Sequence, residues 1–82
     1  MVEIEPEAAK QIDKLAKAVK LAIYGVLLRL EKWPDVSGAK PLKHGLKGQY
    51  RIRTGHYRVQ FRVEGSRVIV EKAGHRDGFY ED

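Results

Sequence analysis

The stretch that decides the fold is Gln49-Tyr50-Arg51-Ile52-Arg53-Thr54-Gly55-His56-Tyr57-Arg58-Val59-Gln60-Phe61-Arg62-Val63-Glu64-Gly65-Ser66-Arg67-Val68-Ile69-Val70. Gly55-His56 and Gly65-Ser66 are Gly-first two-residue loops of the kind that type II′ hairpins use. Pairing Thr54 with Tyr57 across the first loop sets Ile52 against Val59, Tyr50 against Phe61, Arg53 against Arg58 and Arg51 against Gln60. Continuing through the second loop sets Val63 against Val68, Phe61 against Val70, Gln60 against Glu71 and Arg58 against Ala73. Side chains alternate across a strand, so Tyr50, Ile52, Tyr57, Val59, Phe61, Val63, Val68 and Val70 form one apolar face. Arg51, Arg53, Arg58 and Arg62 share the other, exposed face. Lys72 is the exception. The same register puts it on the apolar face opposite Val59, where it would have to snorkel past a helix edge.

Upstream, Val2 to Ile4 reads as a short strand and the next segment as helix. Pro6 suits the first turn and Glu7 the positive end of the helix dipole. Ile12, Leu15, Ala16, Val19, Ile23, Val26, Leu27, Leu30 and Trp33 recur at helical spacing and mark a core face. Gly25 interrupts the stripe at a cost of ~1 kcal/mol relative to Ala. A break near Ala16 to Ala18 would give two helices folded as a hairpin. Pro34 stops the helix, and Val36 to Gly48 is a loop carrying Lys40, Lys43 and Lys47. The pattern predicts an α+β fold: an N-terminal helical pair on one face of a small twisted antiparallel sheet, with residues 1–82 as a single domain.

The chain has 82 residues, which allows one core with little surplus stability. It has no cysteine, so disulfides and thiolate metal sites are excluded. The longest apolar run, Leu21 to Leu28, is too short to span a membrane and no signal-peptide arrangement precedes it, so a soluble, cytoplasmic protein is expected. The net charge of +5 is uneven. Residues 1–34 carry six Lys or Arg against five Asp or Glu, and residues 35–82 carry ten against six. Between Val36 and Val63 there is no carboxylate against seven Lys or Arg. Arginine is an ordinary filler for the wet face of a one-sided sheet. Arg53 opposite Arg58, however, is a repulsive pair that a bridging anion would relieve, which favours a phosphate-holding surface.

Past the last strand, His75 and Arg76 are expected beside the Arg53/Arg58 end of the sheet, with Tyr80 close behind. The sequence contains no Gly-rich phosphate loop, no Ser/His/Asp set and no metal-ligand spacing. Asp77 is the one carboxylate beside the basic cluster, which argues against hydrolysis by paired acids.

The run Leu42-Lys43-His44-Gly45-Leu46-Lys47-Gly48-Gln49-Tyr50-Arg51-Ile52-Arg53, then Gly55-His56-Tyr57-Arg58-Val59, then Gly74-His75-Arg76 with Tyr80 four residues on, resembles the RelE branch of the RelE/ParE toxin superfamily. The resemblance spans essentially the whole chain and implies a RelE-like fold. It also implies an mRNA interferase, controlled by an acidic RelB-like antitoxin, that enters the ribosomal A site and cleaves the bound mRNA. Cleavage would proceed by 2′-hydroxyl attack on the adjacent phosphate, without metal or other cofactor. Arg51 and Arg53 stand where RelE toxins place lysines, Arg58 matches their strand arginine, Arg76 the arginine after the last strand, and Tyr80 the C-terminal tyrosine. His75 occupies a position where several relatives carry His.

Guanidinium groups at Arg58 and Arg76 suit the charge that builds on nonbridging oxygens during in-line attack. A phenol at Tyr80 suits stacking on a splayed base. Arginine at both 51 and 53 removes any general base from those positions, leaving His75 first and Tyr80 second as proton carriers. Lys10, Lys14, Lys17 and Lys20, with Lys40, Lys43, Lys47 and Arg62, are the candidate RNA- and ribosome-binding set. The chain stops sooner than RelE, so a helix after Tyr80 is expected to be absent. An apolar groove on the helices would then receive the antitoxin. A ParE-like inhibitor of DNA gyrase and a noncatalytic RNA-binding module are the alternatives.

Overall fold

The computed structural model describes residues 1–42 and 47–75. Strand β1 (Val2–Ile4) leads into helices α1 (Pro6–Asp13) and α2 (Lys17–Leu30). A short strand β2 (Lys40–Pro41) and then β3 (Gln49–Thr54), β4 (Tyr57–Glu64) and β5 (Arg67–His75) follow. The strand order is β1-β5-β4-β3-β2.

Pro6 occupies the first turn of α1 and Glu7 supplies its acidic residue. The helices part where Ala16 turns extended, with ψ of 151°. Ala16 therefore leaves the predicted core stripe and is exposed. Ile12, Ile23, Val26 and Leu30 pack against Ile52, Val59, Phe61, Val68 and Val70, all buried. Phe61 closes the far end by stacking on Tyr50 at 5.6 Å and meeting the edge of Trp33 at 5.3 Å. Burying a side chain of this size contributes about 1.5–3 kcal/mol.

Both hairpins turn on glycine, with φ of +60° at Gly55 and +61° at Gly65 while the second loop residues keep negative φ. That is the type II′ requirement, and it fixes the register of β3 against β4 as expected, from Gln49↔Arg62 to Thr54↔Tyr57.

Two features depart from the alternation. First, β1 lies parallel to β5, at Val2↔Val68 and Ile4↔Val70, so the sheet is mixed rather than wholly antiparallel. The helical pair between β1 and the later strands is long enough to return the chain in the same direction. Second, β5 carries a bulge. Phe61 still faces Val70, but Gln60 faces Lys72, Val59 faces Ala73 and Arg58 faces Gly74. The expected pairs Gln60/Glu71, Arg58/Ala73 and Val59/Lys72 are therefore corrected by one residue, with Glu71 as the extra one. The backbone N–H of Ala73, just past the bulge, donates to Oε1 of Gln11 on α1 at 2.8 Å. Among the described residues no helix is long and apolar enough to cross a membrane.

Candidate functional site

The helices cover one face of the sheet, and the residues of interest lie on the other. Register places them in rows across the strands. Nearest the β3/β4 turn, Arg53 lies opposite Arg58, which lies opposite Gly74. One row further along, Lys40 of β2 faces Arg51, which faces Gln60, which faces Lys72. In the third row Gln49 faces Arg62, which faces Ile69.

The four arginines expected on one exposed face differ in their surroundings. Arg53 is exposed and Arg51 half-buried, whereas Arg58 is only 3% exposed. The expectation of an equally open set is corrected at Arg58, whose guanidinium is enclosed although it belongs to the solvent-side face. Arg62 is engaged by three carboxylates: Glu64 at 2.8 Å, and Glu5 and Glu71 at 3.0 Å each. Hydrogen bonds to Glu64 first, then to Glu5 and Glu71, hold its guanidinium above its ordinary range. Glu71 is oriented further by the side-chain amides of Gln49 at 3.1 Å and Gln60 at 3.2 Å. Beside it, Arg67 grips Glu3 of β1 through Nε at 2.6 Å and Nη2 at 2.9 Å. That contact lowers the Glu3 carboxyl and raises the Arg67 guanidinium. The outer face is therefore electrostatically divided, with cationic rows toward the β3/β4 turn and an ion-paired cluster at the β1 end.

The bulge decides two further placements. Val70 and Ala73 both sit in the core, so the two residues between them, Glu71 and Lys72, both turn to the outer face. Lys72, expected on the apolar face, instead joins the row of Arg51. Two consecutive outward residues between two core residues break the alternation of a strand, and the bulge accommodates them. The same shift moves His75, which pairs with Tyr57 rather than lying beyond Arg58. Its ring meets Tyr57 edge-on at 5.3 Å and lies 6.2 Å from His56. His75 thus stands at the expected end of the sheet, but on the side of Tyr57 rather than of Arg53 and Arg58.

Lys40 and Lys47 are exposed, and Lys47 borders a cleft of about 490 Å³ with Gln49, Arg62, Val63, Glu64 and Glu71. Lys10, Lys14 and Lys17 are exposed on the helical layer, and Lys20 lies 3.5 Å from Asp13. These helix lysines belong to the layer opposite the arginine rows. Lys43, Arg76 and Tyr80 lie outside the described residues. Among the described residues no group of three His, Cys, Asp or Glu side chains is placed to hold a metal ion.

A second surface lies on the helical side. Val2 and Ile4 of β1 with Tyr24, Leu27, Leu28 and Glu31 of α2 and its end line a mostly apolar cleft of about 320 Å³. Leu28 is 72% exposed there and Leu21, on the same helix, 62%.

The fold is shared with solved toxins at low sequence identity. The RelBE2 toxin–antitoxin complex of Mycobacterium tuberculosis contains a chain that superposes with a TM-score of 0.79 at 23% identity, over 93% of this chain and 96% of that one. The isolated Escherichia coli RelE toxin gives 0.76 at 20% identity, over 92% and 82%. The RelB–RelE complex of Methanococcus jannaschii gives 0.77 at 20%, over 93% and 92%. No curated protein matches the chain by sequence. The family model described as the ParE toxin of the type II toxin–antitoxin system parDE matches residues 2–78. With that match over nearly its whole length, and with the fold of RelE toxins, the chain belongs to the ParE toxin family and is a type II toxin of the RelE/ParE superfamily.

Proposed function

We propose that this toxin is a metal-independent endoribonuclease that cleaves mRNA in the ribosomal A site. The observation that carries this reading is the direct opposition of Arg53 and Arg58 across β3 and β4, one row from Arg51. The 2′-hydroxyl loses its proton and attacks the neighbouring phosphorus, and the bond to the 5′-oxygen breaks as that oxygen gains a proton. A cyclic phosphate and a free 5′-hydroxyl result. Charge accumulates on the nonbridging oxygens during attack, and guanidinium groups already in place stabilise it without reorganisation. Arg51, Arg53 and Arg58 take this role, joined by Arg76. His75 and Tyr80 carry the protons. Because His75 stands on the Tyr57 side, this reading places the scissile linkage at the end of the sheet, where an RNA can touch Arg53, with the enclosed Arg58 opposite it, on one side and the imidazole on the other.

A flat, open face of this kind orients a flexible strand poorly, and orientation contributes roughly 7–11 kcal/mol in well-ordered reactions. RNA already held by the ribosome supplies that order, with Lys10, Lys14, Lys17, Lys20, Lys40, Lys43, Lys47 and Arg62 as docking cations. The apolar cleft on β1 and α2 receives an acidic, RelB-like antitoxin. Solved neighbours from Mycobacterium tuberculosis and Methanococcus jannaschii are toxin–antitoxin complexes.

The description of the matched family favours a second reading, a ParE-like toxin that poisons DNA gyrase. Mapping mRNA ends in a translating extract, alongside a gyrase supercoiling and cleavage assay, separates the two. New ends at A-site codons with untouched gyrase support the nuclease. Intact mRNA with trapped gyrase–DNA complexes overturns it, and RNA binding without either effect leaves a noncatalytic RNA-binding protein.

A further inference from the structure

We propose that Gln11 of α1, in the helical layer across the sheet from the arginine rows, is the positioning residue for His75. It holds the backbone of β5 two residues before the imidazole, through the N–H of Ala73. The inference rests on the nuclease reading above, in which His75 moves a proton, and gives a residue of the other layer a part in it.

Three observations carry it. The first is a polar residue on the core-facing flank of a helix. Ala8 and Ile12, four residues apart on α1, are buried in the core, and Gln11, three residues on from Ala8, lies half-buried on the same flank. An amide so placed needs a partner. Its Oε1 accepts the backbone N–H of Ala73 at 2.8 Å, across 62 residues of sequence. The second observation is what the bulge does to the ladder. An extra residue interrupts the exchange of hydrogen bonds between β4 and β5, so a backbone donor beside it must find its acceptor elsewhere. Ala73 is 3% exposed, which shields that donor from water. Gln11 supplies the acceptor, and with it a reason for the bulged register to be the stable one.

The third is what lies beyond the anchored amide. Gly74 alone separates Ala73 from His75, with Gly74 facing Arg58 and His75 facing Tyr57. Glycine has the widest backbone freedom of any residue. The direction of the chain at His75 therefore depends on how firmly Ala73 is held. An unbulged ladder would set Lys72 against Val59 and Gly74 against Tyr57, and His75 would pass beyond the start of β4. In the bulged one its ring meets Tyr57 edge-on at 5.3 Å. Placement of this kind matters to a proton carrier, since a displacement of about 1 Å can cost roughly 100-fold in rate.

The test uses the intact protein and reads position and rate separately. Gln11→Leu and Gln11→Ala remove the acceptor while keeping good helix formers on α1, and Gln11→Glu keeps an oxygen that can accept the N–H. In the first two, amide hydrogen exchange at Ala73 should accelerate and the nuclear Overhauser contact between the Tyr57 and His75 rings should weaken. Gln11→Glu should restore both. Single-turnover cleavage of mRNA on programmed ribosomes should fall roughly 10- to 100-fold at saturation in the acceptor-deficient proteins, with the half-saturating concentration unchanged because Arg53 is untouched. In a His75→Gln background the same substitutions should cost little more, as for two residues that act through one group. A wild-type rate or an unchanged ring contact in both acceptor-deficient variants overturns the proposal. So does an equal loss in Gln11→Glu, or a loss that adds in full to that of His75→Gln. If the wild type leaves mRNA intact, the nuclease reading falls, and the ring contact still decides whether the Gln11 acceptor places His75.

Discussion

Arg53 and Arg58 stand opposite each other across β3 and β4, yet Arg53 is open to solvent and Arg58 is almost wholly enclosed. A guanidinium held in a partly dehydrated setting, with a second one opposite it, is suited to charge that appears only in a transition state. The exposed partner is reachable by an incoming phosphate, and its contribution weakens as salt screens it.

The two residues should therefore respond differently to alanine. Arg58→Ala is expected to cut single-turnover cleavage on programmed ribosomes by at least ~100-fold, the scale of losing one preorganised donor, and to lower the melting temperature through lost packing of its stem. Arg53→Ala should leave stability within about 0.5 kcal/mol, as for an ordinary surface change, and act mainly through apparent affinity. Full activity in Arg58→Ala at matched folded fraction would remove it from the site.

Arg62 should separate from the catalytic arginines. Its three carboxylate contacts tie β4 to β5 and to the residue after β1. Arg62→Ala is expected to lower unfolding stability only modestly, since partly exposed ion pairs are individually weak, with the loss shrinking at high salt. Cleavage per folded molecule should change far less than in Arg58→Ala. A large loss of cleavage at unchanged stability would return Arg62 to the RNA-contacting set.

Acid should loosen the β1 edge. The hydrogen bond from Arg67 lowers the Glu3 carboxyl below the ordinary carboxylate range. A depressed carboxylate contributes stability that is complete above the unfolded-state value and is lost as pH falls through the folded-state value. Urea midpoints measured from neutral pH downward should therefore hold until about pH 4 and then fall, with a shallower fall in Glu3→Gln. Identical acid limbs in the two proteins would show that this pair contributes nothing.

The bulge makes a prediction about single-residue deletions. Removing Glu71 leaves Val70, Lys72 and Ala73 facing Phe61, Gln60 and Val59 in an uninterrupted ladder, so the variant should fold with a cooperative transition. Removing Val70 instead brings Glu71 against Phe61 in the core. A one-residue slip of this kind moves a charged side chain onto the apolar face, and that variant should be insoluble or unfolded. Equal behaviour of the two deletions in urea would contradict the register.

Much of this arrangement was legible before any coordinates. Gly55 and Gly65 pin the hairpins because a positive φ is needed there, and the β3/β4 register follows from them residue by residue. The partition of Tyr50, Ile52, Val59, Phe61, Val68 and Val70 to the core followed from alternation alone. What escaped was whatever depends on contacts distant in sequence. The bulge answers a packing demand at Ala73 and the hydrogen bond that its N–H donates to Gln11, which local alternation does not register, so Lys72 and Ala73 were each assigned to the wrong face. The enclosure of Arg58 and the neutralisation of Arg62 by Glu5 and Glu71 likewise depend on which elements become neighbours. For the same reason the parallel seating of β1, three residues with no turn to announce a partner, was not visible.

That seating of β1 has a consequence for how the toxin comes into being. Val2 reaches its partner Val68 only when the last described strand exists, and the β1–β5 seam is the pairing of greatest sequence separation in the sheet. Contacts of that kind are the slowest to form because a long loop must close first. A chain emerging from the ribosome therefore holds its helices and arginine hairpin before it holds a closed sheet. The β1–β5 seam is therefore the last pairing of the sheet that the growing chain can complete.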